Sequence, residues 1–211
     1  MIFAHDTTAA LVLAADLVNS YELTDVAALE VFLDKHLVEP RRAATAADLD
    51  AVHALRPRLR AVWQAAGPEA TEPLAELINE LLRDSGARPR LTDHGGGWGW
   101  HLHVTGADAP LEHRIAAQAS SALADLVRLR ETGRLRRCEA PDCDAAFVDL
   151  SKNRSRRYCD TGNCGNRQHV AAYRERRAGR DAAERDAGER RAGRRGAGGR
   201  DAGKRDAGER G

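Results

Sequence analysis

Large apolar side chains are scarce in this chain, which has three Phe, three Tyr, three Trp and one Met in 211 residues. A β-sandwich needs aromatic and β-branched residues in quantity, so the core has to be built from Ala, Leu and Val, which favours helices. An excess of one charge is also absent, with 33 Lys/Arg against 32 Asp/Glu. No apolar run approaches the ~18 residues that a membrane span needs. The start Met1-Ile2-Phe3-Ala4-His5-Asp6 lacks the basic opening of a secretory leader. These absences predict a cytoplasmic chain without a membrane partner. Cysteine is confined to four positions between 138 and 164, and in a reducing compartment such a cluster suits metal better than disulfides.

The even charge balance conceals a division along the chain. Residues 1–133 hold 12 Lys/Arg and 19 Asp/Glu, whereas residues 134–211 hold 21 and 13. An acidic body with a basic appendage fits a polyanionic partner, although basic tails also occur for solubility alone.

Apolar spacing places helices over 8–20 and after Thr24, with Val26, Leu29, Phe32 and Leu33 on one face. A third spans about 45–66, where Pro57 should kink or divide it. A fourth is capped by Thr71 and ended by Gly86. Between 88 and 106 the period falls to two: Trp98, Trp100, Leu102 and Val104 alternate with Gly99, His101, His103 and Thr105. This predicts a β-hairpin turning at His94-Gly95-Gly96-Gly97. A helix over about 111–131 follows, ended by Gly133. From about Arg177 onward Arg recurs every five residues. That period yields no apolar face in helix or strand, so 179–211 reads as a disordered, solvated tail.

Cys138, Cys143, Cys159 and Cys164 form C-x4-C-x15-C-x4-C. Each pair offers two thiolates from one turn and the intervening segment brings the pairs together, as tetrahedral zinc requires. Two disulfides or an iron–sulfur centre are the alternatives. Four thiolates leave no position for water, so one Zn²⁺ here would be structural, supplying folding energy that about 40 residues cannot obtain from burial. Phe147 and Tyr158 are the aromatic core candidates. Residues 134–177 hold 11 basic and 6 acidic side chains, and zinc with four thiolates removes two units from that surplus. Several phosphate contacts could form at once on the loop between the pairs.

Cys164-Gly165-Asn166-Arg167, preceded by Phe147-Val148-Asp149, Ser151 and Arg156-Arg157-Tyr158-Cys159 and followed by Tyr173-Arg174, resembles the CGNR zinc-finger family of bacterial proteins. The segments Ala14-Ala15-Asp16-Leu17-Val18-Asn19-Ser20, Leu55-Arg56-Pro57-Arg58-Leu59, Leu77-Ile78-Asn79 and Arg134-Leu135-Arg136-Arg137-Cys138 resemble that family's usual companion, the ABATE domain, described as a stress-induced transcription regulator. The likeness covers about residues 8–177. It implies DNA binding and control of transcription; the basic side chains of the loop and of the helix after it, Lys152, Arg154, Arg156, Arg157, Arg167 and Arg174, are the expected DNA contacts. Bracing of the finger by Arg167 is the alternative for that residue. Tyr158 stands where the resemblance leads one to expect Trp, and His169 where it leads one to expect Lys.

Other constellations are weaker. The glycines 95–97 lack the following helix and the Lys-Ser/Thr pair of a phosphate loop. His94, His101 and His103 read as solvent-facing, a second metal being the alternative. Trp98 and Trp100 read as core, a ligand pocket being the alternative. Asn19 reads as a cap or buried hydrogen-bonding group, ligand orientation being the alternative. No Ser-His-Asp, Cys-His or paired-carboxylate arrangement assembles from spacing, so no enzyme is expected.

The expected fold is mainly α with a small β-hairpin (α+β). A helical domain over 1–133 precedes a zinc-ribbon-like finger over 134–178 and the tail. The expected function is a bacterial transcription regulator whose finger binds DNA. Its N-terminal domain would sense a signal, such as a small-molecule ligand, or associate as a homodimer. A zinc-stabilised protein–protein interaction module without DNA binding is the alternative.

Overall fold

The computed structural model describes residues 3–36, 43–67, 71–93, 99–106 and 108–198, of which 192–198 are described by backbone alone. The elements are α1 (His5–Asn19), α2 (Val26–Lys35), α3 (Ala46–Ala65), α4 (Thr71–Asp84), β1 (Arg90–Thr92), β2 (His101–His103), α5 (Leu111–Arg128), β3 (Leu135–Arg137), β4 (Ala146–Val148) and α6 (Cys164–Gly198). The chain is mainly α with small antiparallel strand pairs, as its composition predicts.

Local chemistry sets the helix ends. Asp25, one residue beyond the expected Thr24, caps α2 by accepting from the Ala28 N–H at 2.8 Å. Thr45 begins α3 with a reciprocal capping box: its hydroxyl accepts from the Asp48 N–H, and the Asp48 carboxylate accepts from the Thr45 N–H. Pro57 does not divide α3, because Val52, Leu55, Leu59 and Val62 on both sides of it face one core. After α4, Gly86 adopts φ +63° while the Ala87 N–H donates to the Leu82 carbonyl, a glycine-terminated helix end. The end of α5 departs from the expected Gly133. Arg130 takes the left-handed conformation there (φ +57°), and the Glu131 N–H donates to the Leu126 carbonyl at 2.7 Å.

The core is shared by α1, α3, α4 and α5, with Leu11, Leu17, Leu59, Leu74, Ile78, Ile115, Leu123 and Leu126 sealed from solvent. Ser120 sits among them because its hydroxyl donates to the Ala116 carbonyl within the same helix. Leu135, Ala146 and Val148 of the β3–β4 hairpin belong to this same core, and α1 packs against β4. The compact units are therefore Met1–Cys164 and Gly165–Gly211. The expected division at 133 follows the motif, whereas compactness follows the burial of Leu135 and Val148.

One expectation is corrected. Strands β1 and β2 pair antiparallel with Leu91 opposite Leu102, but of the face expected to point inward only Val104 is buried among the described residues. Trp100 is 74% exposed and Leu91 and Leu102 also face solvent, while His101 and His103 are half-buried. A period of two states that residues share a face, and tertiary packing chooses which face turns inward. The expected turn His94–Gly97 and Trp98 lie outside the described residues. The helix α6 continues to Gly198, into the stretch expected as a tail, and residues 199–211 of that stretch lie outside the described residues. Ala, Arg and Glu are good helix formers even without a core, and pairs such as Asp186–Arg190 at 2.6 Å lie one turn apart.

Candidate metal centre and its basic loop

β3 and β4 form a hairpin with Leu135 opposite Val148 and Arg136 opposite Phe147. Its turn carries the first cysteine pair. The Cys138 N–H donates to the Ala145 carbonyl at 2.9 Å, and the Cys143 N–H to the Ala140 carbonyl at 3.1 Å. The second pair is brought alongside when the Glu139 N–H donates to the Arg157 carbonyl and the Cys159 N–H to Cys138 Sγ. Asn163, at φ +51°, turns the chain before Cys164, the first residue of α6.

The four Sγ atoms lie within 4.8 Å of one another, and Cys143–Cys159 and Cys159–Cys164 are each 3.8 Å apart. A tetrahedron with Zn–S bonds of about 2.3 Å has edges of about 3.8 Å, and no two of these sulfurs are bonded as a disulfide. The donor set fits one Zn²⁺, with four thiolates closing its coordination, so the ion's role is structural. Phe147, Ala140 and Tyr158 pack around the sulfurs as a small core of their own. Among the described residues, no other group of three or more His, Cys, Asp or Glu side chains gathers closely enough to share an ion. His101 and His103 are neighbours, with ring centroids 5.1 Å apart, and do not form such a group.

Burial pushes the Cys138 thiol up and the Cys143 thiol up to about 12. Cys159 is held below its ordinary value. Burial opposes its ionisation, but the Gly162 backbone N–H and the three neighbouring thiols outweigh that. Zinc has to displace protons from the raised thiols, which couples metal loading to pH.

The loop between the pairs is wound around one carboxylate. Asp149 is fully buried, and its oxygens accept from the Ser151 N–H (2.9 Å), the Ser151 hydroxyl (2.6 Å) and the Arg156 N–H (2.9 Å). The Arg136 guanidinium lies 3.7 Å away. Burial alone would raise this carboxyl, but the Ser151 and Arg156 donors and the Arg136 charge carry it below the usual carboxylate range. The Ser151 hydroxyl in turn accepts from the Ser155 N–H. Arg134, 1% exposed, ties the base of the loop. It donates to the Asp149 and Ser151 carbonyls and pairs with Glu131 at 2.8 Å.

Of the expected DNA contacts, Lys152, Arg154, Arg156 and Arg157 share this loop, whereas Arg167 and Arg174 lie on α6 in the second unit. Lys152 is exposed and has no hydrogen bond or ion pair among the described residues. Arg154 pairs with Glu131 at 2.7 Å, and Arg157 with Glu139 at 2.6 Å. Arg156 is committed further: it lies 4.9 Å over the Phe147 ring, donates to the Tyr158 carbonyl and pairs with Asp160. Asn166 lies inside the first turn of α6.

Residues 134–177 match the CGNR zinc finger, and residues 11–137 match ABATE, described as "Putative stress-induced transcription regulator". The second match alone spans more than half of the chain. The chain belongs to the ABATE family. No curated protein matches it. The ABATE and CGNR matches overlap at residues 134–137, where Arg134 and β3 serve both. Trp63 and Asn19 of the ABATE region hold the finger's β4: the Trp63 indole N–H donates to the Phe147 carbonyl at 3.0 Å, and Asn19 bonds both backbone groups of Ala146.

The bracing roles of Arg134 and Arg136 were missed by the sequence reading, which counted both as free positive charge. A signal was present in Asp149-Leu150-Ser151, an Asx-type turn after an apolar strand. Arg137, exposed and without a hydrogen bond or ion pair among the described residues, was not among the expected contacts.

Proposed function

We propose that this ABATE-family chain regulates transcription by binding DNA through its finger, with the loop at Lys152–Arg157 lying against the phosphate backbone. The observation that carries this reading is the way Asp149 and the cysteine clamp give a basic loop one shape. A fixed loop places several cations together without the ordering cost of a flexible one. Arg154 and Arg157 are more than half exposed, so their carboxylate pairs are open to exchange for phosphates. Arg167 and Arg174, seven residues apart on one stripe of α6, supply further contacts. The ABATE region senses a signal, through a small ligand or through homodimerisation, and the chain acts in the bacterial cytoplasm without catalysing a reaction.

Gel-shift or anisotropy titration of the zinc-loaded chain across a salt series tests the reading. Lys152→Ala/Arg154→Ala is the variant to use, and Arg156 is left intact because it also donates to the Tyr158 carbonyl. The expected result is weaker binding, with the salt slope lower by about 0.9 for each phosphate that is no longer neutralised. If the chain retains no DNA at about 150 mM salt, the finger is a structural clamp for a protein partner instead.

A further inference from the structure

Arg56 and Arg60 stand one turn apart on α3, and their guanidinium carbons lie 5.4 and 5.6 Å from the centroid of the Tyr21 ring. Arg60 donates to the Tyr21 hydroxyl and to the Val18 carbonyl, and reaches the Asp144 carboxylate at 3.3 Å. Arg56 has the ring alone: it makes no hydrogen bond or ion pair among the described residues. Tyr21 is 64% exposed, so burial of its ring does not explain the cluster.

Two like charges at i and i+4 repel, and an isolated helix is weakened by them. The ring attracts both cations through its negative face, but it accepts none of the N–H donors in Arg56's planar fork. The Tyr21 oxygen already accepts from Arg60, which leaves its own O–H as a third donor. Donors in this number around two positive charges suit the oxygens of a phosphate. The one acid shown on the cluster, Asp144, is largely exposed and engages Arg60 alone. Asp144 follows Cys143 directly, so the cluster borders the first zinc knuckle within the same compact unit.

We propose that Arg56, Arg60 and Tyr21 form a phosphate-binding site whose ligand is a phosphate of the DNA backbone, so that the helical domain contacts the duplex beside the finger. This rests on the DNA-binding reading above. The test uses the full zinc-loaded chain and a mixed-sequence duplex, with anisotropy followed across a salt series. Arg56→Ala should lower the salt slope by about 0.9 at unchanged zinc content and helicity. Arg56→Lys, which keeps the charge and loses the fork, should bind more weakly with its slope preserved. Asp144→Asn, which frees Arg60, should tighten binding and steepen the slope, an effect that a merely structural cluster would not produce.

If all three variants keep the wild-type affinity and slope while Lys152→Ala/Arg154→Ala weakens binding, this site is overturned and the finger reading stands. If the wild type retains no duplex, the DNA source falls, and inorganic phosphate is titrated while the Arg56 Nε–H resonance is followed. A shift that Tyr21→Ala abolishes keeps a phosphate site for a free ligand, and no shift removes the site altogether.

Discussion

Asn19, the last residue of α1, and Ala146, the first residue of β4, exchange two hydrogen bonds across 127 positions of sequence: Asn19 Nδ2 donates to the Ala146 carbonyl at 2.7 Å, and the Ala146 N–H donates to Asn19 Oδ1 at 2.8 Å. The amide stands in for a neighbouring strand at the edge of β4. Asn supplies both halves of that exchange, since it carries a donor and an acceptor on one planar group.

Asn19→Ala should therefore loosen the hairpin from the helices while the cysteines stay in place. The expected loss is about 2 kcal/mol, the cost of leaving polar groups unpaired in a partly buried setting. Urea denaturation of zinc-loaded protein measures it, and an unaltered midpoint would refute the role given to this amide.

Zinc content should be one per chain, and loading should be pH-dependent. With the Cys138 and Cys143 thiols pushed up, zinc has to displace protons from these two sulfurs at neutral pH, so apparent zinc affinity rises with pH and falls on acidification. Competition with a chromophoric chelator at several pH values checks the sign. Cys159→Ser should lose the ion and the order of the finger.

Asp149 predicts an acid-side effect. Its folded pKa lies below the unfolded value of about 3.9. Its stabilisation is therefore present above about pH 4 and lost as pH falls through the folded pKa. Asp149→Asn turns one acceptor into a donor beside the Arg156 or Ser151 N–H, and should cost about 2–3 kcal/mol at neutral pH. The variant should also lose less stability than the wild type between pH 4 and 2, as read by thermal unfolding across pH.

Glu139 holds Arg157 at 2.6 Å and keeps it more firmly protonated, so in the proposed complex it is the rival of a DNA phosphate for that guanidinium. Glu139→Gln should tighten DNA binding and steepen the salt slope by about 0.9 if the freed guanidinium takes a phosphate. An unchanged slope would remove Arg157 from the interface.

Arg130 sits in the left-handed region at the end of α5, where a Cβ is unfavourable and glycine is at ease. Arg130→Gly should stabilise the chain by about 1 kcal/mol, seen as a raised thermal midpoint with zinc content unchanged.

Much of this was legible because it rests on local chemistry. The x4 spacing of each cysteine pair placed its two thiols on one turn, and the i, i+3, i+4 recurrence of Leu and Val in α3 and α4 marked faces that are buried. The orientation of β1–β2 was not legible: Trp100 and Leu102 alternate correctly with His101 and His103, but alternation does not say which face meets the body of the protein. The reach of α6 to Gly198 was not legible either, since it rests on the helix propensity of Ala, Arg and Glu with no apolar face to mark it.

By itself, then, the sequence determined the family, the helical character and the four cysteines that could hold a metal, because each depends on residue type and short spacing along one chain. Tertiary structure alone decided which arginines brace and which stay exposed. Arg134 became a buried strut through contacts with the Asp149 and Ser151 carbonyls and with Glu131, whereas Lys152 stayed solvent-facing. A guanidinium's role follows from the acceptors that folding brings to it, and a count of charges carries no record of where those acceptors lie.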